Sequence, residues 1–210
     1  MVTIPLQAIV MLWGLITLYK DNFMLQTILI FAASLISFNS IASVTSQDLF
    51  TAINLRLSYM EDVALYKAYN NEPIEDTKRE AIVINNASIS AEKEGLNKES
   101  VVDFFSAQIS AAKAIQYRYR ADLLTTSTDK KPKDLETVIR PELIKLGKDI
   151  NTKIAQYLRE GGSFTKDELE VFKATLKSRY LKESDKELLF DSLTKYDFNK
   201  VEFDCINWSR

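Results

Sequence analysis

The sequence predicts an all-α protein of six helices, three long ones followed by a helical C-terminal half. Three observations carry that expectation. From about residue 44 onward, apolar residues recur at spacings of three and four, the period of one helix face. No stretch alternates with period two for long enough to argue for a sheet. The 210 residues include only 5 Gly and 4 Pro, and 46% are hydrophobic, a composition that folds and suits helices. The length allows one domain, or one domain with an extension.

The first helix is expected from about Ser46 to Asn70, because Leu49, Ile53, Arg56, Met60, Val63 and Lys67 follow one another at four, three, four, three and four. NNEP breaks it. Pro73 suits the first turn of a second helix, expected from Pro73 to about Lys93 and stopped by Gly95. The third starts near Lys98 and runs through VVDFFSAQISAAKAIQYRYRADLL. Residues 125–134, TTSTDKKPKD, carry no apolar period and read as a loop between two halves. A fourth long helix is expected over roughly Leu135 to Arg159, ended by Gly161 and Gly162. Thr165 with Glu168 and Ser184 with Glu187 fit the capping-box pattern, and they place two shorter helices near 166–180 and 185–196.

The N-terminus is different in kind. Residues 4–18 are almost wholly apolar, and a second apolar run follows LYKDNF. That second run has the character of a signal-peptide core, and Ser40 and Ala42 supply small residues at a cleavage site. Each run falls short of the ~20 apolar residues that span a bilayer comfortably. Residues 1–42 are therefore expected to be a signal peptide or apolar extension, with cleavage after Ala42 and export to a periplasmic or external space. A retained membrane anchor is the weaker reading. Residues 43–210 form the helical domain.

Composition removes several classes of chemistry. With 27 basic and 29 acidic residues there is no basic field to favour nucleic acid. Histidine, the commonest general base and metal ligand, does not occur. The single cysteine, Cys205, can form neither an intrachain disulfide nor a cysteine metal cluster, and it lacks a histidine to activate it.

Polar residues on the apolar stripes are the remaining anomaly. Arg56 and Lys67, eleven residues apart, point within about 20° of each other and lie roughly 16 Å apart along the axis. The third helix carries the stripe Val102, Phe105, Ile109, Ala112, Gln116, Tyr119, Leu123. On the second, Asp76, Arg79 and Val83 share a face, with Glu80 one turn from Asp76. Arg140 opens the fourth beside apolar neighbours. Arginine and lysine often lay their stems on apolar surface with the head in water, and Arg56 and Arg79 could pair with Asp76 or Glu80. Several such residues on facing stripes instead suggest a pocket with excess positive charge, suited to a carboxylate ligand. Without a histidine or a paired nucleophile, any catalysis there would rest on positioning and fixed electrostatics. A pericyclic rearrangement of a small polycarboxylate needs no more than that.

INLRLSYMEDVALYK, PIEDTKRE and AAKAIQYRYRADL resemble the all-helical chorismate mutases, in particular their secreted subclass. The motif-bearing resemblance covers about residues 46–124, with a looser match in the C-terminal half, 135–210, that includes Arg140. It implies the rearrangement of chorismate to prephenate, on the route to phenylalanine and tyrosine, with no cofactor, and a homodimer with a complete site in each chain. It further implies that Arg56 and Arg140 each bind a substrate carboxylate and that Lys67 and Gln116 donate to the ether oxygen. Asp76 and Glu80 would face the ring hydroxyl, Arg79 would add charge, and Val83 would line the ring. Ala112 stands where relatives often carry Ser or Thr, so a hydroxyl contact is missing. Pro141 disfavours helical geometry at the residue before it, which puts Arg140 at a helix start or kink. The alternative is a protein of the same fold that binds a dicarboxylate without turnover, or a helical interaction protein.

Overall fold

The computed structural model describes residues 43–126 and 128–198. The expectations for residues 1–42, Cys205 and the C-terminal tail lie outside these. From Ser43 the described residues pack as one unit. Among them the only β feature is a single bridge between Leu96 and Phe198.

The described residues form six rods, the first divided in two. Helix α1, Ser46–Ser58, starts at a capping box in which Thr45 Oγ1 accepts from the Asp48 N–H at 3.2 Å and the Asp48 carboxylate accepts from the Thr45 N–H at 2.9 Å. Helix α2, Met60–Tyr69, continues it after a one-residue irregularity at Tyr59, and the Val63 N–H still reaches the Tyr59 carbonyl at 3.0 Å. The stripe from Leu49 to Lys67 therefore stays on one side. Asn71 ends the rod at φ 56°, a left-handed turn that asparagine tolerates.

Helix α3 is Thr77–Glu92, so it starts later than Pro73. The reason is local: Asp76 is the stronger start signal, its carboxylate accepting from the Arg79 N–H at 3.0 Å. Residues before it stay non-helical, which leaves the Ile74 carbonyl free to accept from Lys67 Nζ at 2.7 Å. Gly95, at φ 75°, follows the end of the helix as expected. Helix α4, Lys98–Asp122, is capped by Asn97, which accepts from the Ser100 N–H at 3.1 Å.

The fourth rod has two parts. Leu135–Ile139 forms a π-helical turn and α5 runs Arg140–Arg159, with Pro141 in its first turn. The proline's missing donor is harmless there, and Arg140 becomes the first α-helical residue, as Pro141 implied. Thr165 opens a 3₁₀ turn, Lys166–Glu168, leading into α6, Leu169–Thr175. Helix α7, Glu183–Leu193, begins ahead of the expected Ser184 box. The Asp185 carboxylate, not Glu187, reaches back to the Lys182 N–H at 2.8 Å, because the extended cap residue is Lys182.

The C-terminal half buries Phe172 and Phe190 against Phe50 of α1, with ring centroids 5.0–6.3 Å apart. Fully buried Asn151 on α5 donates to the Ala87 carbonyl of α3 at 2.9 Å, fixing those two helices together. Helix α4 packs on α2 and α3, and α5 packs on α1 and α3. A cleft is left where these four rods meet.

Candidate functional site

The cleft holds about 1050 Å³ of empty space, counting its open mouth. All nine residues singled out by sequence line it: Arg56, Lys67, Asp76, Arg79, Glu80, Val83, Ala112, Gln116 and Arg140. Lys113 and Lys148 also face it, so six cations stand against two carboxylates. Met60, Val63, Phe105 and Leu135 supply apolar wall. The chain as a whole carries −2, so this positive charge is local. Among the described residues no group of three acidic or sulfur side chains converges as a metal would need.

Arg56 is 5% exposed. Its Nη1 donates to Gln108 Oε1 at 2.9 Å, its guanidinium carbon lies 5.8 Å from the Phe105 ring centroid, and its Nε has no partner. It pairs with neither Asp76 nor Glu80. A cation taken out of water without a counter-ion is costly, and burial pulls the Arg56 pKa down to about 10.

Lys67 is also buried and is held by the Ile74 carbonyl. Burial lowers its pKa, and the fields of Asp76 and Glu72 oppose that fall. Arg79, partly buried in the first turn of α3, is lowered by burial and then by Arg140. Arg140 is paired with Glu136 one turn back, while Asp76 Oδ2 stands 4.0 Å from its Nη2. Glu80 is held by Lys113 at 3.3 Å, and Lys113 also bridges to Glu75 at 3.0 Å.

Gln116 Nε2 donates to the Ala112 carbonyl at 3.3 Å and lies 3.7 Å from Met60 Sδ, while its Oε1 is buried without a partner. Ala112 is buried beside it and adds no polar atom. Val83 packs against the core from α3.

Sequence reasoning passed over three residues here. Gln108, fully buried, orients Arg56. Glu136 and Lys113 pair with Arg140 and Glu80. Gln108 lies three residues after Phe105 and eight before Gln116, beside the three-four stripe through Ile109 and not on it, so the stripe passes it by.

The arrangement offers several fixed, partly desolvated donors around a cavity with apolar walls. It can hold a small molecule with two carboxylates and stabilise charge on an oxygen between them. The family model described as "Chorismate mutase type II" matches residues 40–117. A "Monofunctional chorismate mutase" from Enterobacter agglomerans is 37% identical over 166 residues, covering 79% of this chain and 91% of that protein. A "Secreted chorismate mutase" from Yersinia pestis is 43% identical over 151 residues, covering 71% and 78%. The crystal structure of the Yersinia pestis secreted enzyme superposes with a TM-score of 0.67 at 40% identity, covering 71% of this chain and 97% of that one.

Proposed function

The chain belongs to the chorismate mutase family, and on that premise we propose how its cleft converts chorismate to prephenate. The observation that carries the proposal is Arg56, a buried guanidinium with no carboxylate partner and one free donor edge. Arg56 takes one substrate carboxylate. Arg140 exchanges Glu136 for the other, and Arg79 adds positive charge beside it. With both ends clamped, the enolpyruvyl arm is held over the ring against Val83 and Ala112, which lowers the entropic part of the barrier.

As the C–O bond breaks, negative charge grows on the ether oxygen. Lys67 donates there from its anchor on the Ile74 carbonyl. Gln116 turns its second N–H from the weak sulfur acceptor of Met60 to the same oxygen. Both interactions strengthen in the transition state, which is the requirement for acceleration. Asp76 and Glu80 face the ring hydroxyl and hold neighbouring cations in place. The chemistry is intramolecular and asks for no cofactor.

The protein is exported, with residues 1–42 as its signal segment. The apolar run before Ala42 and the secreted Yersinia pestis relative support this. Among the described residues no helix is long and apolar enough to cross a membrane. The resemblance further points to a homodimer in which each cleft is built from one chain.

The test is to follow the loss of chorismate absorbance with residues 43–210. Alanine at Arg56 or Arg140 should raise KM at least tenfold with the fold intact by circular dichroism. Unchanged KM in both would show that the carboxylates bind elsewhere.

A further inference from the structure

The strongest polar feature that the proposed reaction leaves unused is Gln108. It is 0% exposed, on α4, with Oε1 accepting from Arg56 Nη1 at 2.9 Å and Nε2 buried without any partner. A glutamine placed for stability would satisfy both ends of its amide, because an orphaned buried donor costs stability. Here only the end that faces Arg56 is used.

We propose that Gln108 is a positioning residue for the substrate-carboxylate clamp: it orients the Arg56 guanidinium with a neutral acceptor, so that the full positive charge remains for the ligand. Phe105, one turn before it, closes the other side, its ring 5.8 Å from the guanidinium carbon. A neutral amide and a ring face both orient a guanidinium without discharging it. A glutamate at this position would make the same contact but would neutralise the cation before the substrate arrived. The residue thus sets how strongly the cleft prefers a dianionic substrate. This rests on the reading of Arg56 as the carboxylate clamp.

The near-isosteric Gln108→Glu separates positioning from packing. It gives the buried guanidinium a counter-ion, so the melting temperature should hold or rise while kcat/KM for chorismate falls ten- to a hundredfold. KM should rise by more than kcat falls, since the lost interaction is with a carboxylate bound in ground state and transition state alike. Gln108→Met, which removes the acceptor without adding charge, should also raise KM at least fivefold. Loss of activity in step with loss of folding in Gln108→Glu is the signature of packing alone and would overturn the proposal. So would a kcat/KM within fivefold of the parent in both variants. Arg56→Met is the control: if it abolishes activity while the Gln108 variants do not, the clamp stands and this role for Gln108 fails; if it leaves activity intact, the clamp itself fails.

Discussion

Arg56→Met should make the protein inactive without making it less stable. Burial lowers the Arg56 pKa from the ordinary guanidinium range to about 10. At 1.36 kcal/mol per pKa unit, that fall corresponds to about 3 kcal/mol of penalty for keeping the charge in the folded chain. The group binds its proton more weakly folded than unfolded. The penalty is therefore complete at all pH below about 10 and is relieved only as the pH climbs past that value. Methionine removes the charge at similar length, but it orphans Gln108 Oε1, a loss of about 1–3 kcal/mol. The single variant should lie between about 0 and 2 kcal/mol more stable than the parent. Adding Gln108→Leu removes the orphan, and the double variant should gain about 2–3 kcal/mol, or roughly 5–10 °C in melting temperature. Truncating one side of a buried charged contact costs a ligand 2–5 kcal/mol, so kcat/KM should fall roughly 10²–10³-fold or more. Urea melts of the ligand-free protein and the chorismate assay check both halves. A double variant less stable than the parent would refute the reasoning, because Arg56 would then be a structural contributor.

The pH profile follows from the same groups. Arg56 is lowered to about 10 and Lys67 is lowered by burial, so both discharge earlier than ordinary side chains as pH rises. Activity should be flat from about pH 5 to 8 and fall on the alkaline side. The fall in kcat should come at higher pH than that in kcat/KM, because a bound anion holds the protons on; a bell centred near neutrality would contradict this. Asp62, buried on α2, is clasped by Lys130 and by Lys133 at 3.0 Å from the loop leading to Arg140. The lysines hold its pKa down against burial, so its contribution is present above the ordinary carboxylate range and lost as pH falls through the folded value. Asp62→Asn should cost about 1–2 kcal/mol near neutrality, with the gap to the parent closing below about pH 4. Phe172→Ala, by opening the Phe50–Phe172–Phe190 cluster, should cost about 3–5 kcal/mol and leave the KM of whatever folds unchanged.

Much of the cleft was legible because a helix exposes its exceptions. Arg56 and Lys67 stood out as cations on an otherwise apolar row, and α2 continues α1 across the one-residue irregularity at Tyr59, which keeps them on one side. Gln116 stood out on α4 for the same reason. Gln108 was hidden because α4 is buried over a wide arc: Phe104, Ala111 and Ile115 face the core while Phe105, Ala112 and Gln116 line the cleft. A single three-four stripe through Ile109 steps over the residue between those faces. The start of α3 moved because Asp76 capping outweighs a first-turn proline at Pro73. The partners Glu136 and Lys113 were invisible to periodicity, since both sit on exposed or half-exposed positions where any polar residue would be unremarked.

Lys67 as the ether-oxygen donor is tested most directly by steady-state chorismate turnover in Lys67→Ala. The side chain is buried, lines the cleft and, among the described residues, bonds one backbone carbonyl, at 2.7 Å, so its removal should leave a folded protein. Losing one preorganised donor to developing charge costs on the order of 10²–10³ in rate. Lys67→Ala should show that loss in kcat, with KM changed much less. A kcat within tenfold of the parent would contradict it.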